Sequence, residues 1–253
     1  LPTKSLPFFT GLEGFPSKGD PYGAGPEKEP LQVSGFCCRF FVDHYMAHAG
    51  LISGPDRLLS REDRHHPARR IAGRELSFET VAGIIHATVR GRRVKLQMTR
   101  PGGLAVDRSL TLRGKKYTYS FLNTGVPHAV LFVPDVSKAD VMGVGRGIRT
   151  HRAFAPRGTN VNFAQVRDGV LWVRTYERGV EAETLACGTG AVASGILAAV
   201  HGLAAPPVAV RTSGGDRLTI HFEPMRKNFG EVYLEGDTSW SCDGWILEEA
   251  YRY

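Results

Sequence analysis

Gly188-Thr189-Gly190-Ala191-Val192-Ala193-Ser194-Gly195-Ile196-Leu197-Ala198-Ala199-Val200-His201 carries no charge before its terminal histidine. The run reads as a helix closed by Gly202, a residue type that commonly follows the last helical turn. A helix without a polar face is buried on every side. Its many small residues let neighbouring strands approach closely, so the expected setting is a helix threaded through a strongly curved sheet. The run has fourteen residues, too few for a transmembrane helix, which needs about 20.

Strand signals surround this helix. Leu76–Thr80, Ile84–Arg90, Val94–Thr99, Ser109–Leu112, Lys116–Asn123 and Ala129–Val133 are short β-rich runs bounded by Gly or Pro. Val161–Arg167 and Val170–Glu177 follow, joined by Asp168-Gly169, and Gly91-Arg92 offers another hairpin turn. Val208–Thr212, Arg217–Phe222 and Glu231–Glu235 complete the sheet. Two further helices are expected, over Phe36–Ala49 before Gly50 and over Lys138–Arg149. Residues 1–33 are rich in Gly and Pro and read as an irregular arm, and Ser53–Arg74 reads as a polar, Arg-rich surface loop. The fold class is therefore α/β.

Composition narrows the function classes. The chain has 253 residues, 42% hydrophobic and 23% charged, as ordinary soluble domains do. A formal charge of +7 raises the question of nucleic acid. The basic residues are spread over several loops and are not interleaved with aromatics, so they read as a solvated basic surface. No apolar run is long enough to span a membrane, and Leu1–Ser5 lacks the apolar core of a signal peptide. The expected address is the cytoplasm, and a start at Leu1 rather than Met suggests a fragment or processed product. The four cysteines, Cys37, Cys38, Cys187 and Cys242, match no zinc spacing and in a cytosolic chain read as separate thiols.

Cys187 stands directly before the apolar helix and is followed by Gly188-Thr189-Gly190. The first N–H groups of a helix have no intrahelical partner, and the helix dipole favours negative charge there. A carboxylate can sit on those groups, and a thiol placed among them ionises more readily than a free one. The dipole supplies at most about 2 kcal/mol, so a bound substrate or a nearby His would have to complete the activation. A lone buried Cys is ordinarily a small packing residue. Here Glu177 and Arg178 precede it at a strand end. The Arg fork suits a carboxylate and the Glu accepts from an ammonium, which together suit a zwitterionic ligand. The plain alternative is an exposed strand-end ion pair.

Glu177-Arg178-Gly179, Glu183-Thr184 and Ala186-Cys187-Gly188-Thr189-Gly190-Ala191 resemble the diaminopimelate epimerase family around its second catalytic cysteine. Further likenesses follow in order: Asn123-Thr124-Gly125-Val126-Pro127-His128 resembles its Gly-Asn-Pro-His loop, Gly158–Phe163 its substrate-binding Asn segment, and Ser239–Gly244 its closing strand region. The resemblance runs from about Leu76 to Ile246. It implies two pseudo-symmetric halves, each a curved mixed sheet wrapped on a central helix. Residues 34–114 would form an incomplete first half and 115–253 the second. It also implies epimerisation without any cofactor, by two cysteines flanking a substrate α-carbon, on a small-molecule amino acid and in a homodimer. By position Cys187 would be one acid/base. Asn160, Glu177 and Arg178 would hold the substrate, the Gly188 and Thr189 backbone its α-carboxylate, and His128 would line the site.

The first half-site departs from that pattern. Where the family has Cys-Gly-Asn-Gly-x-Arg, the chain has Ser34-Gly35-Phe36-Cys37-Cys38-Arg39. Ungapped spacing puts Ser34 at the cysteine position, and a shifted reading puts Cys37 there. Val126 replaces a second substrate-binding Asn and Ala182 a common Gly, while residues 1–33 lack the family's opening Gly-Asn-Asp-Phe loop. These departures also admit a related histidine racemase, a hydroxyproline epimerase or dehydratase, or a catalytically impaired paralogue or fragment retained for binding.

Overall fold

The structure is a computed structural model that describes residues 31–37, 75–80, 83–224 and 229–246. Contacts divide the chain into two compact units, one of Leu1–Ser34 with Cys242–Tyr253 and a larger one of Gly35–Ser241. In chain order the strands are β1 (Leu31–Cys37), β2 (Glu75–Thr80), β3 (Gly83–Arg90), β4 (Arg93–Gln97), β5 (Gly102–Leu112), β6 (Lys115–Asn123) and β7 (Pro127–Phe132). Helix α1 (Val141–Arg149) precedes β8 (Asn160–Arg167), β9 (Val170–Glu177) and the short β10 (Ala182–Thr184). Helix α2 (Gly188–Val200) is followed by β11 (Val208–Thr212), β12 (Arg217–His221), β13 (Tyr233–Asp237) and β14 (Ser239–Ile246). β1 pairs with β14, and the other twelve strands form one sheet in the order β2-β3-β4-β13-β12-β11-β9-β8-β7-β6-β5, with β10 on β9. The sheet is mixed: β7 with β8 and β9 with β11 run parallel, the remaining pairs antiparallel. An α/β architecture is thus what the chain adopts.

The charge-free run forms α2 as expected, and Gly188 through Ala198 are all buried. It packs against β6, β7, β8, β9, β11 and β12 of the one sheet. Strands from both wings of a single sheet can touch one helix only if the sheet curves around it. Ile196, Leu197, Val130, Leu171, Val210 and Ile220 form part of the resulting core. A second core lies on the other face of β7–β9, where Ala129, Leu131, Val161, Phe163 and Tyr176 meet Val141 and Ile148 of α1. The central strands β7–β9 thus contribute apolar side chains to a core on each face.

Several boundaries differ from expectation. Phe36 and Cys37 lie in β1 rather than at the start of a helix. The alternation Leu31-Gln32-Val33-Ser34 is a period-two signal at the start of this strand, which extends to Cys37. Residues 38–49 of that expected helix, the loop 53–74 and residues 1–30 lie outside the described residues. α1 starts at Val141 rather than Lys138, because the Asp140 side chain accepts from the Gly143 N–H at 2.8 Å and caps the helix there. Gly145 lets α1 press onto the sheet: a Cβ on it would lie 2.6 Å from Cβ of Tyr176. β5 begins at Gly102, seven residues before the expected Ser109, with register shifts between Gly102 and Arg108. Bulges of that kind break the alternation by which a strand is recognised. The Asp168-Gly169 turn has both φ angles positive, +53° and +72°, as a type I′ hairpin requires.

Removing part of α2 should be costly. Leu197→Ala is expected to destabilise the protein by about 2–5 kcal/mol, against under ~0.5 kcal/mol for Leu203→Ala at an exposed position. Urea unfolding of the two variants checks this, and equal midpoints would contradict the central placement of α2.

Candidate active site

The face of β7–β9 that meets α2 changes character along its length. Side chains on one face of a strand recur every second residue. On this face β7 runs from Val130 to His128, β8 from Ala164 to Asn162 and Asn160, and β9 from Leu171 and Val173 to Thr175 and Glu177. The register sets His128 opposite Asn160 and Val161 opposite Tyr176. Apolar positions lie alongside the body of α2, and polar ones begin at its N-terminus. All the polar ones are buried: His128, Asn160 and Asn162 at 0%, Glu177 at 1% and Thr175 at 3% exposure. Glu177 is therefore no exposed strand-end residue.

Cys187 is the N-cap residue of α2, in extended conformation, and its side chain makes no capping hydrogen bond. Its Sγ lies 3.6 Å from Thr189 Oγ1. The Thr124 hydroxyl donates to the Thr189 carbonyl at 3.2 Å and ties the β6–β7 turn to the helix start. Cys187 is 7% exposed. It borders a narrow crevice lined also by Thr175, Thr184, Leu185, Thr212 and Ser213.

Asn162 joins this helix start to the polar row. A Cβ on Gly190 would lie 2.3 Å from Asn162 Oδ1 and 3.2 Å from Cys187 Sγ. Glycine at 190 is thus required by the neighbour it touches. The Asn162 Oδ1 accepts from the Thr175 hydroxyl at 2.9 Å, and its Nδ2 lies 3.1 Å from His128 Nδ1 and 3.3 Å from the Ala129 carbonyl.

A second group forms where β9 ends. The Arg178 N–H donates to Asn160 Oδ1 at 2.7 Å. Asn160 Nδ2 finds no acceptor among the described residues, although it is fully buried. The turn after Arg178 is held by Glu181, at φ +58°. Its carboxylate accepts from Arg149 Nε and Nη2 at 2.8 and 2.6 Å and from the Gly179 N–H at 3.1 Å, while the Tyr176 hydroxyl donates to its carbonyl. Burial pushes the Glu181 carboxyl up, but the Arg149 and Gly179 hydrogen bonds outweigh it and hold the group below the ordinary glutamate value. Burial, then the nearby Arg149 and Arg157 guanidiniums, draw Arg178 below the usual arginine value, with Glu181 acting the other way. Behind the turn, Arg174 and Glu183 form a two-pronged pair with both contacts at 2.7 Å, clamping β10 onto β9.

The structure thus brings Cys187, Gly188, Thr189, His128, Asn160, Glu177 and Arg178 to one end of α2. Ser34 and Cys37 both lie in β1, whose side chains are outside the described residues. Asn162, Thr175, Thr124 and Glu181 were not singled out from sequence. A signal did exist for Asn162: two asparagines two apart at the start of a strand, a residue type that strands disfavour. Among the described residues no group of three His, Cys, Asp or Glu could hold a metal ion.

Two outcomes follow from this geometry. Gly190→Ala should cost about 1–3 kcal/mol through overpacking against Asn162, although Ala ordinarily favours a helix by about 1 kcal/mol over Gly. A gain in the urea midpoint would contradict the close approach. Glu181 has a folded pKa below its unfolded one. Its contribution is therefore complete above the ordinary glutamate value, roughly 4.3, and is lost as pH falls through the lower folded value. The acid limb of a stability–pH curve should be shallower in Glu181→Gln than in the parent, and an unchanged slope would count against the Arg149 pairing.

Residues 120–240 match the family model described as diaminopimelate epimerase. The diaminopimelate epimerase of Aquifex aeolicus is 47% identical over 189 residues, covering 73% of this chain and 66% of that protein. The one from Chlamydia trachomatis serovar L2 is 39% identical over 198 residues, covering 74% and 70%. The chain spans about two thirds of the length of these curated relatives. A probable proline racemase from Agrobacterium radiobacter K84, at 16% identity, shares the fold with a TM-score of 0.55, over 70% of this chain and 61% of that one. Motif order, the helix-start cysteine and identity at this level over most of the described residues lead to one conclusion: the chain belongs to the diaminopimelate epimerase family.

Proposed function

We propose that this chain carries the Cys187 half of a cofactor-independent epimerase site that interconverts LL- and meso-2,6-diaminopimelate, in the biosynthesis of lysine and peptidoglycan precursors. The observation that carries the reading is the placement of Cys187: a thiol at the start of a helix buried from Gly188 to Ala198, beside a buried row of His128, Asn160 and Glu177.

In this reading the substrate α-carboxylate sits on the N–H groups of Gly188 and Thr189, where the helix start favours an anion. The Cys187 thiolate takes the α-proton, the electron pair stays on the α-carbon beside the carboxylate, and an acid on the opposite face returns a proton. The reverse direction exchanges the two roles. Arg178 faces its substrate with Arg149 and Arg157 near it, so an incoming distal carboxylate relieves crowded positive charge. Glu177 accepts from the ammonium group, and the Asn160 Nδ2 donor gains a partner when a substrate oxygen arrives. His128 lines the site. The opposite acid/base is Ser34 or Cys37. A hydroxyl is far less acidic than a thiol, so Ser34 in that place would cost the rate about 10²–10⁴-fold. The division into halves 34–114 and 115–253, a cytoplasmic location and a homodimer belong to the same proposal.

Exchange of the diaminopimelate α-proton in D₂O tests it. Cys187→Ala should lower exchange by at least about 10²-fold while leaving the unfolding midpoint nearly unchanged. Exchange retained in that variant would overturn the assignment. Ser34→Ala and Cys37→Ala in the same assay identify the opposite face. A panel with histidine and hydroxyproline alongside diaminopimelate addresses the Val126 departure, since exchange confined to either would redirect the substrate reading.

A further inference from the structure

We infer that Asn162 is a positioning residue: its amide locks the ring tautomer of His128 and, through the same group, braces the helix start that bears Cys187. The effect on turnover rests on the epimerase reading; the effect on the ring does not.

The orientation of the amide follows from its surroundings. One end faces the Ala129 main-chain carbonyl at 3.3 Å. A carbonyl only accepts, so the amide nitrogen must be the atom that faces it. The opposite choice would set two carbonyl oxygens against each other in a buried place. The other end accepts from the Thr175 hydroxyl at 2.9 Å, which agrees. With Nδ2 fixed in this way, its second N–H is directed at His128 Nδ1, 3.1 Å away. Nδ1 must then be the acceptor, and the proton of the neutral ring resides on Nε2. His128 is held as a donor at Nε2.

The same oxygen occupies the space above Gly190, where a Cβ would come within 2.3 Å. One amide therefore sets a proton position on β7 and the seating of the first turn of α2. Asn162, His128 and Thr175 are all buried, so exchange with solvent does not blur this arrangement. A side chain that merely filled space would leave the ring free to take either tautomer.

The test is a long-range ¹H–¹⁵N correlation spectrum of protein labelled in histidine, with His128 assigned by its loss in His128→Gln. In the parent at neutral pH, Nδ1 should resonate as an unprotonated ring nitrogen and Nε2 as a protonated one. Asn162→Asp keeps the shape and the Thr175 contact but offers oxygen to Nδ1, so Nδ1 should become protonated. Diaminopimelate exchange should then fall on the order of ten- to a hundredfold, by analogy with the loss when the partner orienting a metal-bound His is removed. A parent spectrum with Nδ1 protonated overturns the inference without any variant. So does an unchanged ring in folded Asn162→Asp, or a changed ring with unchanged exchange. If the parent exchanges no diaminopimelate proton, the epimerase reading fails while the spectrum still decides the tautomer.

Discussion

A helix with no polar side has to be enclosed, and α2 is enclosed by bending a single sheet around it. Its side chains are too small to hold neighbours at a distance, so β6–β9, β11 and β12 close in on it. Mixed pairing makes this workable. The parallel joins of β7 with β8 and of β9 with β11 let chain segments far apart in sequence share the same core. α1 covers the other face of β7–β9, where Ala129, Leu131, Val161, Phe163 and Tyr176 form the second core.

Enclosure creates a difficulty at the helix start. The first turn of any helix has N–H groups with no partner in the helix, and leaving such groups buried and unmet is costly. The side chain of the N-cap residue Cys187 makes no capping hydrogen bond here. The fold also gathers polar side chains around the place from all three central strands: His128 on β7, Asn160 and Asn162 on β8, Thr175 and Glu177 on β9. Their mutual hydrogen bonds make the burial tolerable: Thr175 to Asn162, Asn162 to His128 and Ala129, Arg178 N–H to Asn160. What is left over points to a ligand. The helix start suits a carboxylate, and the Asn160 Nδ2 donor has no acceptor among the described residues.

The turn that carries Arg178 follows a similar logic. Arg149 from the end of α1 pairs with Glu181, and Tyr176 and Gly179 donate to the same residue. Glu181 thus holds an uncommon left-handed backbone in place, and Arg178 stands among like charges. Positive charge concentrated in this way is stable only while counter-charges, protein or substrate, balance it.

Much of this was legible in the chain itself. The buried helix could be read from the absence of charge over residues 188–200, because hydrophobic patterning is local. The paired strands could be read from alternation and from Asp168-Gly169, since turn geometry is local too. Cys187 with Gly188-Thr189-Gly190 announced its chemistry because a helix start, a glycine and a thiol are neighbours in sequence. The start of β1 and the bulged first part of β5 were hidden by competing or broken periodicity. Only the tertiary structure decided that Asn162 reaches His128 and Gly190, that Arg149 pairs with Glu181, and that Thr124 meets Thr189. Those contacts join residues from different strands and helices, and their distances depend on how the sheet curves, a property that no single segment of sequence contains.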